Sequence, residues 1–284
     1  MSNFEMDIKK GNPFENSYIK GEVLGVGGFG HVFSCSNRIT GVLYAIKVSS
    51  SSMGKEFAFG DLCRHQHILS PIELWFDGSV YFLVMPQILP ASKLNYTKMT
   101  RLIKSTFGLQ LASAVHHMHQ LGIMHCDIGQ TNIGFSLSER GQLELKLLDF
   151  GLSKLVSEHD DQKSRGGFQM DGMLSFMSPE TVRENSMSPP NDCWAMCLVI
   201  LEIFLEINTP FMEQGLKEPP NVLALSSKIG DLEESPIPAS FRQDQTPFGL
   251  CLLQILETGL AMEPERRDLE TIIRLLEKLV SLSP

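Results

Sequence analysis

A glycine-rich segment near the N-terminus is the first group of residues whose spacing could do chemistry. Leu24-Gly25-Val26-Gly27-Gly28-Phe29-Gly30 matches G-x-G-x-x-G, in which glycines let the backbone approach phosphate groups closely. A dinucleotide-binding fold would continue into a helix and supply an acidic residue about 20 positions later. Here strand-like residues 31–35 follow, and no acidic residue occurs between Gly30 and Glu56. We therefore interpret the segment as a hairpin folded over a nucleotide.

Lys47 is the second candidate, 17 residues after Gly30 in a strand-like apolar segment that places Ala45 and Lys47 on one face. A single lysine in a strand is ordinarily a solvated surface charge. The apolar neighbours and the preceding glycine hairpin predict burial instead, and a buried ammonium group needs an anionic partner. The helical stretch that follows offers Glu56 and Asp61. We choose Glu56 as the partner of Lys47.

A third polar group lies in the middle of the chain, where His125, Asp127 and Asn132 form the pattern H-x-D-x-x-x-x-N. Asp149-Phe150-Gly151 begins 17 residues after Asn132. Taken singly, the aspartates could be turn residues and the asparagine a cap. Together with the glycine segment and the Ala45-x-Lys47 strand, however, these motifs resemble those of the eukaryotic protein kinase family in order and spacing.

The resemblance continues downstream and covers about residues 18–280. Gly172–Glu180 is similar to the family's G-T-x-x-Y-x-A-P-E, and Asp192-Cys193-Trp194 to its D-x-W. Glu263–Arg267 is similar to D-P-x-x-R, whose arginine would pair with Glu180. The segment that ends at Glu180 resembles serine/threonine kinases more than tyrosine kinases. The catalytic loop also looks like those of some kinases from large DNA viruses.

The resemblance implies that ATP and Mg²⁺ are the cofactors and that the substrate is a protein. Asp127 would orient the substrate hydroxyl and accept its proton, while Asn132 and Asp149 would hold Mg²⁺. Lys47, fixed by Glu56, would contact the α- and β-phosphates. The residues expected to bind the nucleotide are Leu24, Gly25, Val26, Gly27, Gly28, Phe29, Gly30, Val32, Ala45, Lys47, Glu56, Met85 and Ile88.

Several positions depart from the family pattern. Gly129 stands where serine/threonine kinases carry a lysine near the transferred phosphate, and Met173 replaces the threonine that contacts that lysine. Losing one such stabiliser would lower the rate by about 10²–10³ if nothing substitutes for it. Cys126 replaces an arginine that pairs with a phosphorylated activation loop in many relatives, so we expect activity not to depend strongly on phosphorylation there. Gly60 replaces a large apolar residue and is expected to leave space.

Two other classes of protein compete with a protein kinase. A pseudokinase would keep the fold and bind a nucleotide as a scaffold or regulator without transferring phosphate. The residues at 126, 129 and 173 favour it, whereas the intact Lys47, Glu56, Asp127, Asn132 and Asp149 argue against it. A small-molecule kinase of the aminoglycoside or choline type also uses H-x-D-x-x-x-x-N. Its relatives generally lack the A-P-E segment that Ser178-Pro179-Glu180 resembles.

The elements that must position these residues change along the chain. Strand-like segments dominate the first part, at Tyr18–Val26, His31–Cys35, Val42–Val48, Ile72–Phe76 and Val80–Met85, with one helix over about Met53–Arg64. From Thr97 onward a period of 3.6 residues predicts helices, including one with its apolar face at Leu102, Leu109, Ala112, Val115 and Met118. We predict an α+β, two-lobed kinase fold. Its antiparallel-sheet N-lobe would cover about residues 1–86, its hinge 86–90 and its helical C-lobe 91–284.

Composition excludes several functions. The chain of 284 residues has a formal net charge of −9 and no run of basic residues, so we expect no nucleic-acid partner. No apolar run is long enough to span a bilayer, so we expect no membrane association. Six scattered cysteines suggest neither a zinc site nor disulfides. These features favour an intracellular protein, cytoplasmic or nuclear, in a host cell if it is viral. They leave its oligomeric state open.

Overall fold

The computed structural model describes residues 7–27, 30–158, 173–205 and 222–283. The chain divides into two compact units. The first comprises Met1–Leu89 together with Leu148–Gly151, and the second comprises Pro90–Leu147 and Leu152–Pro284. Residues 148–151, which carry the Asp-Phe-Gly motif, thus return to the first unit after the chain has entered the second.

A twisted sheet forms the frame of the first unit. Its strands are β1 (Ile8–Lys10), β2 (Tyr18–Gly27), β3 (Gly30–Asn37), β4 (Leu43–Ser49), β5 (Glu73–Phe76) and β6 (Tyr81–Pro86). Their order across the sheet is β1-β5-β6-β4-β3-β2, and the predicted strands pair antiparallel. Two helices belong to this unit, α1 (Pro13–Asn16) and α2 (Gly54–Leu62). The strands that the period-2 pattern predicted are therefore confirmed within one or two residues.

The edge strand β1 and helix α1 were not predicted, and they correct the expectation of a purely antiparallel sheet with one helix. Strand β1 pairs with β5 in parallel. Lys9 forms an ion pair with Glu73 and lies over the ring of Trp75. Three mostly exposed residues carry too little alternation for a strand signal. Pairing with β5 and these side-chain contacts stabilise β1.

Both faces of the sheet bury apolar side chains around strand β4. Ile46 packs with Trp75, Phe82 and Val84 on one face. On the other face, Met53, Leu74 and Leu83 form a second cluster with partly buried neighbours that include Met85. Burying side chains of this size stabilises each by about 1.5–3 kcal/mol relative to exposure. Lys47 is therefore carried by a strand that is packed on both faces.

The second unit is mainly helical, as predicted, and the mixed α+β architecture is confirmed. Its longer elements are α3 (Arg101–Gln120), α4 (Pro179–Glu184), α5 (Pro189–Leu205), α6 (Val222–Gly230), α7 (Ala239–Gln243), α8 (Pro247–Gly259) and α9 (Leu269–Ser281). Helix α5 is buried on all sides from Asn191 to Ile203 and forms the centre of the unit. None of the helices in the described part of the chain combines the length and apolar character needed to cross a membrane.

Helices α3 and α9 pack against each other. In α9, Ile272, Leu276 and Leu279 recur at helical spacing and are fully buried. In α3 the predicted stripe is partly wrong, because Leu102 is 40% exposed and Phe107 lies in the core instead. Phe107 contacts the Phe135 ring, 4.7 Å away between centroids. That contact, which comes from a distant strand, selects the buried face of the helix.

Short strands frame the loops of the second unit. Strand β7 (Leu89–Pro90) lies at the change between the units, β8 (Ile123–Met124) pairs with β11 (Lys154–Leu155), and β9 (Ile133–Leu137) pairs with β10 (Leu143–Leu147). The loop 125–132 therefore runs from the end of β8 to the start of β9. Both of its ends are anchored by strand pairing.

Candidate active site

Three charged side chains meet in the first unit. The Lys47 Nζ lies 2.9 Å from both carboxylate oxygens of Glu56 and 2.9 Å from the Oδ2 of Asp149. Strand β4 carries Lys47, helix α2 carries Glu56, and the returning segment 148–151 carries Asp149. The choice of Glu56 over Asp61 is confirmed, because Asp61 binds Arg64 on the surface. Asp149 adds a second partner that the sequence analysis did not assign to Lys47.

Burial and charge act against each other in this cluster. Burial by itself lowers the pKa of Lys47, but the carboxylates of Glu56 and Asp149 outweigh it and raise that pKa above its ordinary value. Burial, together with the nearby Asp149 carboxylate, raises the pKa of Glu56 to about 7 even though Lys47 opposes the shift. Two carboxylates share one ammonium group, and the side chain of Glu56 is only 9% exposed. The cluster therefore holds excess negative charge that a cation would relieve.

The glycine segment joins strands β2 and β3 as a hairpin, and Gly27 pairs with Gly30. Gly30 has φ +128°, and a Cβ there would lie 2.1 Å from the Val48 carbonyl oxygen, so only glycine fits. A Cβ on Gly25 or Gly27 would meet nothing within 4 Å. Gly28 and Phe29 lie outside the described residues. The backbone beside these two strands is thus open enough for a phosphate group to approach.

The remaining residues expected to bind the nucleotide also lie in the first unit. Register pairs Gly25 with Val32, Val32 with Lys47, and Ala45 with Met85 on adjacent strands. Ala45 is buried, whereas Leu24 and Val26 on strand β2 are largely exposed. Ile88 follows β6. These residues therefore lie on or beside the strands next to the one that carries Lys47.

The expectation that Gly60 leaves space in helix α2 is wrong. A Cβ at Gly60 would lie 2.5 Å from the Cδ of Pro71 and 3.4 Å from the Phe150 ring. Both neighbours occupy the volume that a larger side chain would need. Gly60 instead lets Pro71 and Phe150 approach the helix that carries Glu56.

In the second unit, hydrogen bonds from Asn132 and Met173 hold both carboxylate oxygens of Asp127. The Asn132 Nδ2 donates to Oδ2 at 2.6 Å and to the Asp127 carbonyl oxygen at 2.8 Å. The backbone N–H of Met173 donates to Oδ1 at 2.8 Å. Asp127 and Asn132, which one motif joins in sequence, are thus in direct contact. The contact with Met173 was not predicted.

A buried aspartate of helix α5 holds the backbone of the same loop. Asp192 accepts hydrogen bonds from the backbone N–H of His125 at 2.8 Å and of Cys126 at 3.0 Å, and its Oδ2 lies 2.9 Å from the His119 Nε2. Burial alone would raise the pKa of Asp192, but the histidines hold it below its ordinary value. Cys126 has φ +67°, a strained conformation for a residue with a side chain. The two N–H bonds to Asp192 stabilise that conformation.

Sulfur-containing side chains fill the space around Cys126. Cys126 packs with Met124, Met177 and Met187 in a buried cluster. An arginine at this position would place an uncompensated charge in that cluster. The substitution at Cys126 is therefore matched by an apolar environment, in which the loop and the segment before helix α4 are joined by packing.

The predicted partner of Glu180 is confirmed as Arg267. The Arg267 guanidinium donates from Nη1 to Oε1 at 2.5 Å and from Nη2 to Oε2 at 3.0 Å. Its Nε donates to the Ala261 carbonyl oxygen at 2.8 Å. The arginine is 5% exposed. This bidentate pair ties helix α4 to the segment before helix α9.

Lys47, Glu56 and Asp149 thus lie together in the first unit, and Asp127 and Asn132 lie together in the second. The supporting contacts of Asp192, His119 and Met173 were not predicted from the sequence. The D-x-W motif was a signal for Asp192. The contact of Met173 with Asp127 left no signal, because it joins a backbone N–H to a residue 46 positions away.

Comparisons with known proteins agree with these motifs. A family model described as protein kinase domain matches residues 18–280. Serine/threonine-protein kinase GD17699 of Drosophila simulans is 30% identical over 227 residues, covering 75% of this chain and 30% of that protein. A probable serine/threonine-protein kinase of Dictyostelium discoideum, fhkE, is 29% identical over 220 residues, covering 69% and 30%. The chain spans about 30% of the length of these curated relatives.

Proposed function

This chain belongs to the protein kinase family, and on that premise we propose that it transfers the γ-phosphoryl group of ATP to serine or threonine hydroxyls of protein substrates. The observation that carries the proposal is the buried Lys47 ammonium, held 2.9 Å from both Glu56 and Asp149. A structural ion pair would need one carboxylate. A second, partly exposed carboxylate on the same lysine is the arrangement expected where phosphates and a cation bind.

The donor atoms suit ATP and Mg²⁺. Asp149 is 31% exposed and offers a carboxylate, and the cluster's excess negative charge favours a divalent cation. Asn132 uses its Nδ2 to bind Asp127, so the amide oxygen is the atom it can offer to a metal. We assign the metal to Asn132 and Asp149 and the α- and β-phosphates to Lys47. Mg²⁺ neutralises phosphate charge when it is bound.

Asp127 is the proposed acceptor of the substrate hydroxyl proton. Phosphoryl transfer passes through a loose transition state, so positioning of the hydroxyl matters more than covalent help from the protein. Hydrogen bonds from Asn132 and Met173 fix both carboxylate oxygens of Asp127, which sets the direction in which it can accept. Two curated relatives are named as serine/threonine-protein kinases, which supports serine or threonine as the acceptor.

The test is transfer of labelled γ-phosphate from Mg-ATP to the protein itself and to basic and acidic protein substrates. Asp127→Asn keeps the shape of the side chain and is expected to abolish labelling. Asp231→Asn, at an exposed position on the surface, serves as the matched control and should keep wild-type labelling. Phosphoamino-acid analysis then distinguishes serine and threonine from tyrosine. Equal labelling by wild type and Asp127→Asn would contradict the role of Asp127.

A pseudokinase is the second candidate, and the observation that favours it is the glycine at 129 in place of the usual lysine. Mg²⁺-dependent ATP binding with no labelling by wild type would establish that alternative. Nucleotide binding is measured separately, as the rise in the unfolding midpoint with ATP concentration.

A further inference from the structure

The catalytic loop contains a buried notch at Gly129 that a methionine fills. Gly129 has φ −179° and ψ 173°, an extended conformation that any residue adopts. Its backbone therefore does not require glycine. A Cβ at this position would lie 2.7 Å from the Met173 Cε, 2.9 Å from its Sδ and 3.1 Å from the Phe176 ring. The glycine leaves room for the thioether of Met173, which a Cβ at this position would displace.

The same methionine contacts Asp127 through its backbone. Its N–H donates to the Asp127 Oδ1 at 2.8 Å. The position of that donor depends on where the residue's side chain is anchored, and the notch at Gly129 is the anchor. Gly129 in turn accepts a hydrogen bond at its carbonyl oxygen from the Asn132 N–H at 3.0 Å. The contact between Met173 and Gly129 therefore connects to the Met173 N–H and to Asn132, which are the two groups that hold Asp127.

We propose that Met173 is a positioning residue for Asp127, locked in place by insertion of its thioether into the notch at Gly129. The inference rests on the proposed function. The two departures from the family pattern at 129 and 173 are then a matched pair. An apolar contact joins the catalytic loop to the segment before helix α4 where the family pattern has a lysine and a threonine.

The packing around the pair supports this assignment. The Met173 carbonyl oxygen accepts a hydrogen bond from the Phe176 N–H at 2.9 Å, so a tight turn follows the residue. The Phe176 ring is buried and closes the other side of the notch. Removing the thioether would leave a void with no partner atoms on one side, and filling the notch from Gly129 would expel the thioether. Either change would free the backbone N–H of Met173, which donates to Asp127.

The experiment is a double-mutant cycle with Gly129→Ala and Met173→Ala, measured as kcat and as KM for ATP. Gly129→Ala should lower kcat about tenfold, the effect of overpacking by one methyl group expressed as a rate. KM for ATP should stay unchanged, because Lys47 and the other residues proposed to contact the nucleotide lie in the first unit, and the substitutions act on the Met173 N–H and not on the Asn132 amide oxygen proposed for Mg²⁺. Met173→Ala should lower kcat several-fold. Gly230→Ala, whose Cβ would meet its neighbours at an ordinary 3.6 Å, is the matched control.

The double variant decides the outcome. The new methyl group at 129 occupies the volume that Met173→Ala vacates, so the double variant should be more active than Gly129→Ala alone. Multiplicative losses of kcat, or a KM for ATP that rises with each substitution, would overturn the proposal. If wild type transfers no label, the proposed function fails, and the pair is judged by the unfolding midpoint. Recovery of that midpoint in the double variant supports the locked pair, and additive losses overturn it.

Discussion

Replacing Glu56 by glutamine tests the charge balance of the buried cluster. The folded protein binds the Glu56 proton with a pKa of about 7, against 4.5 for an unperturbed carboxyl group. The folded state therefore binds more protons than the unfolded state between these values, and stability falls as pH rises through them. At about 1.4 kcal/mol per pKa unit, the full effect is about 3 kcal/mol. Above about pH 7 the contribution of this titration to the free energy of unfolding no longer changes with pH.

Glu56→Gln removes this titration while keeping most of the side chain's shape. The free energy of unfolding of wild type minus that of Glu56→Gln should therefore fall by up to about 3 kcal/mol between pH 4.5 and pH 8. Urea denaturation of the nucleotide-free proteins at four pH values measures this difference in the free energy of unfolding. Glu233→Gln, at an exposed position, corrects for the rest of the protein's titration.

The opposite slope would refute the reasoning. If Lys47 dominated Glu56, the carboxyl pKa would lie below 4.5, and the difference in unfolding free energy would rise with pH as the ion pair formed. The predicted sign depends on Asp149, whose carboxylate competes for the same ammonium group. Adding Asp149→Asn to both proteins should flatten the slope.

Two further predictions concern the second unit. Arg267→Met leaves the Glu180 carboxylate without its bidentate partner. The free energy of unfolding measured by urea denaturation should therefore fall by about 3–5 kcal/mol. A loss below about 1 kcal/mol would contradict the buried pair. Because Cys126 lies in a sulfur-rich apolar cluster, phosphatase treatment should change the transfer rate by less than about twofold. A phosphosite between Asp160 and Ser175 that raises the rate by orders of magnitude would show that another residue reads the phosphate.

The sequence alone determined the family, most strands and the identities of the charged site residues. These follow from local rules that the chain carries at fixed spacing. Glycines mark the hairpin of β2 and β3, period-2 alternation marks Lys47 on its strand, and the helix after it offers few acids. Glu180 and its arginine partner were likewise found from motif order. These features can be recognised from the sequence because each depends on residues that are close together in the chain or on a known motif.

Tertiary structure decided how these residues are supported. Strand β1 exists because β5 offers it a partner, and Gly60 is small because Pro71 and Phe150 approach it. The notch at Gly129 has meaning only beside Met173, which lies 44 positions away in the chain. A glycine in the sequence predicts either a free backbone conformation or empty space beside the residue. Whether that space is open or filled depends on side chains that only folding brings near, because close packing depends on volume and not on sequence separation.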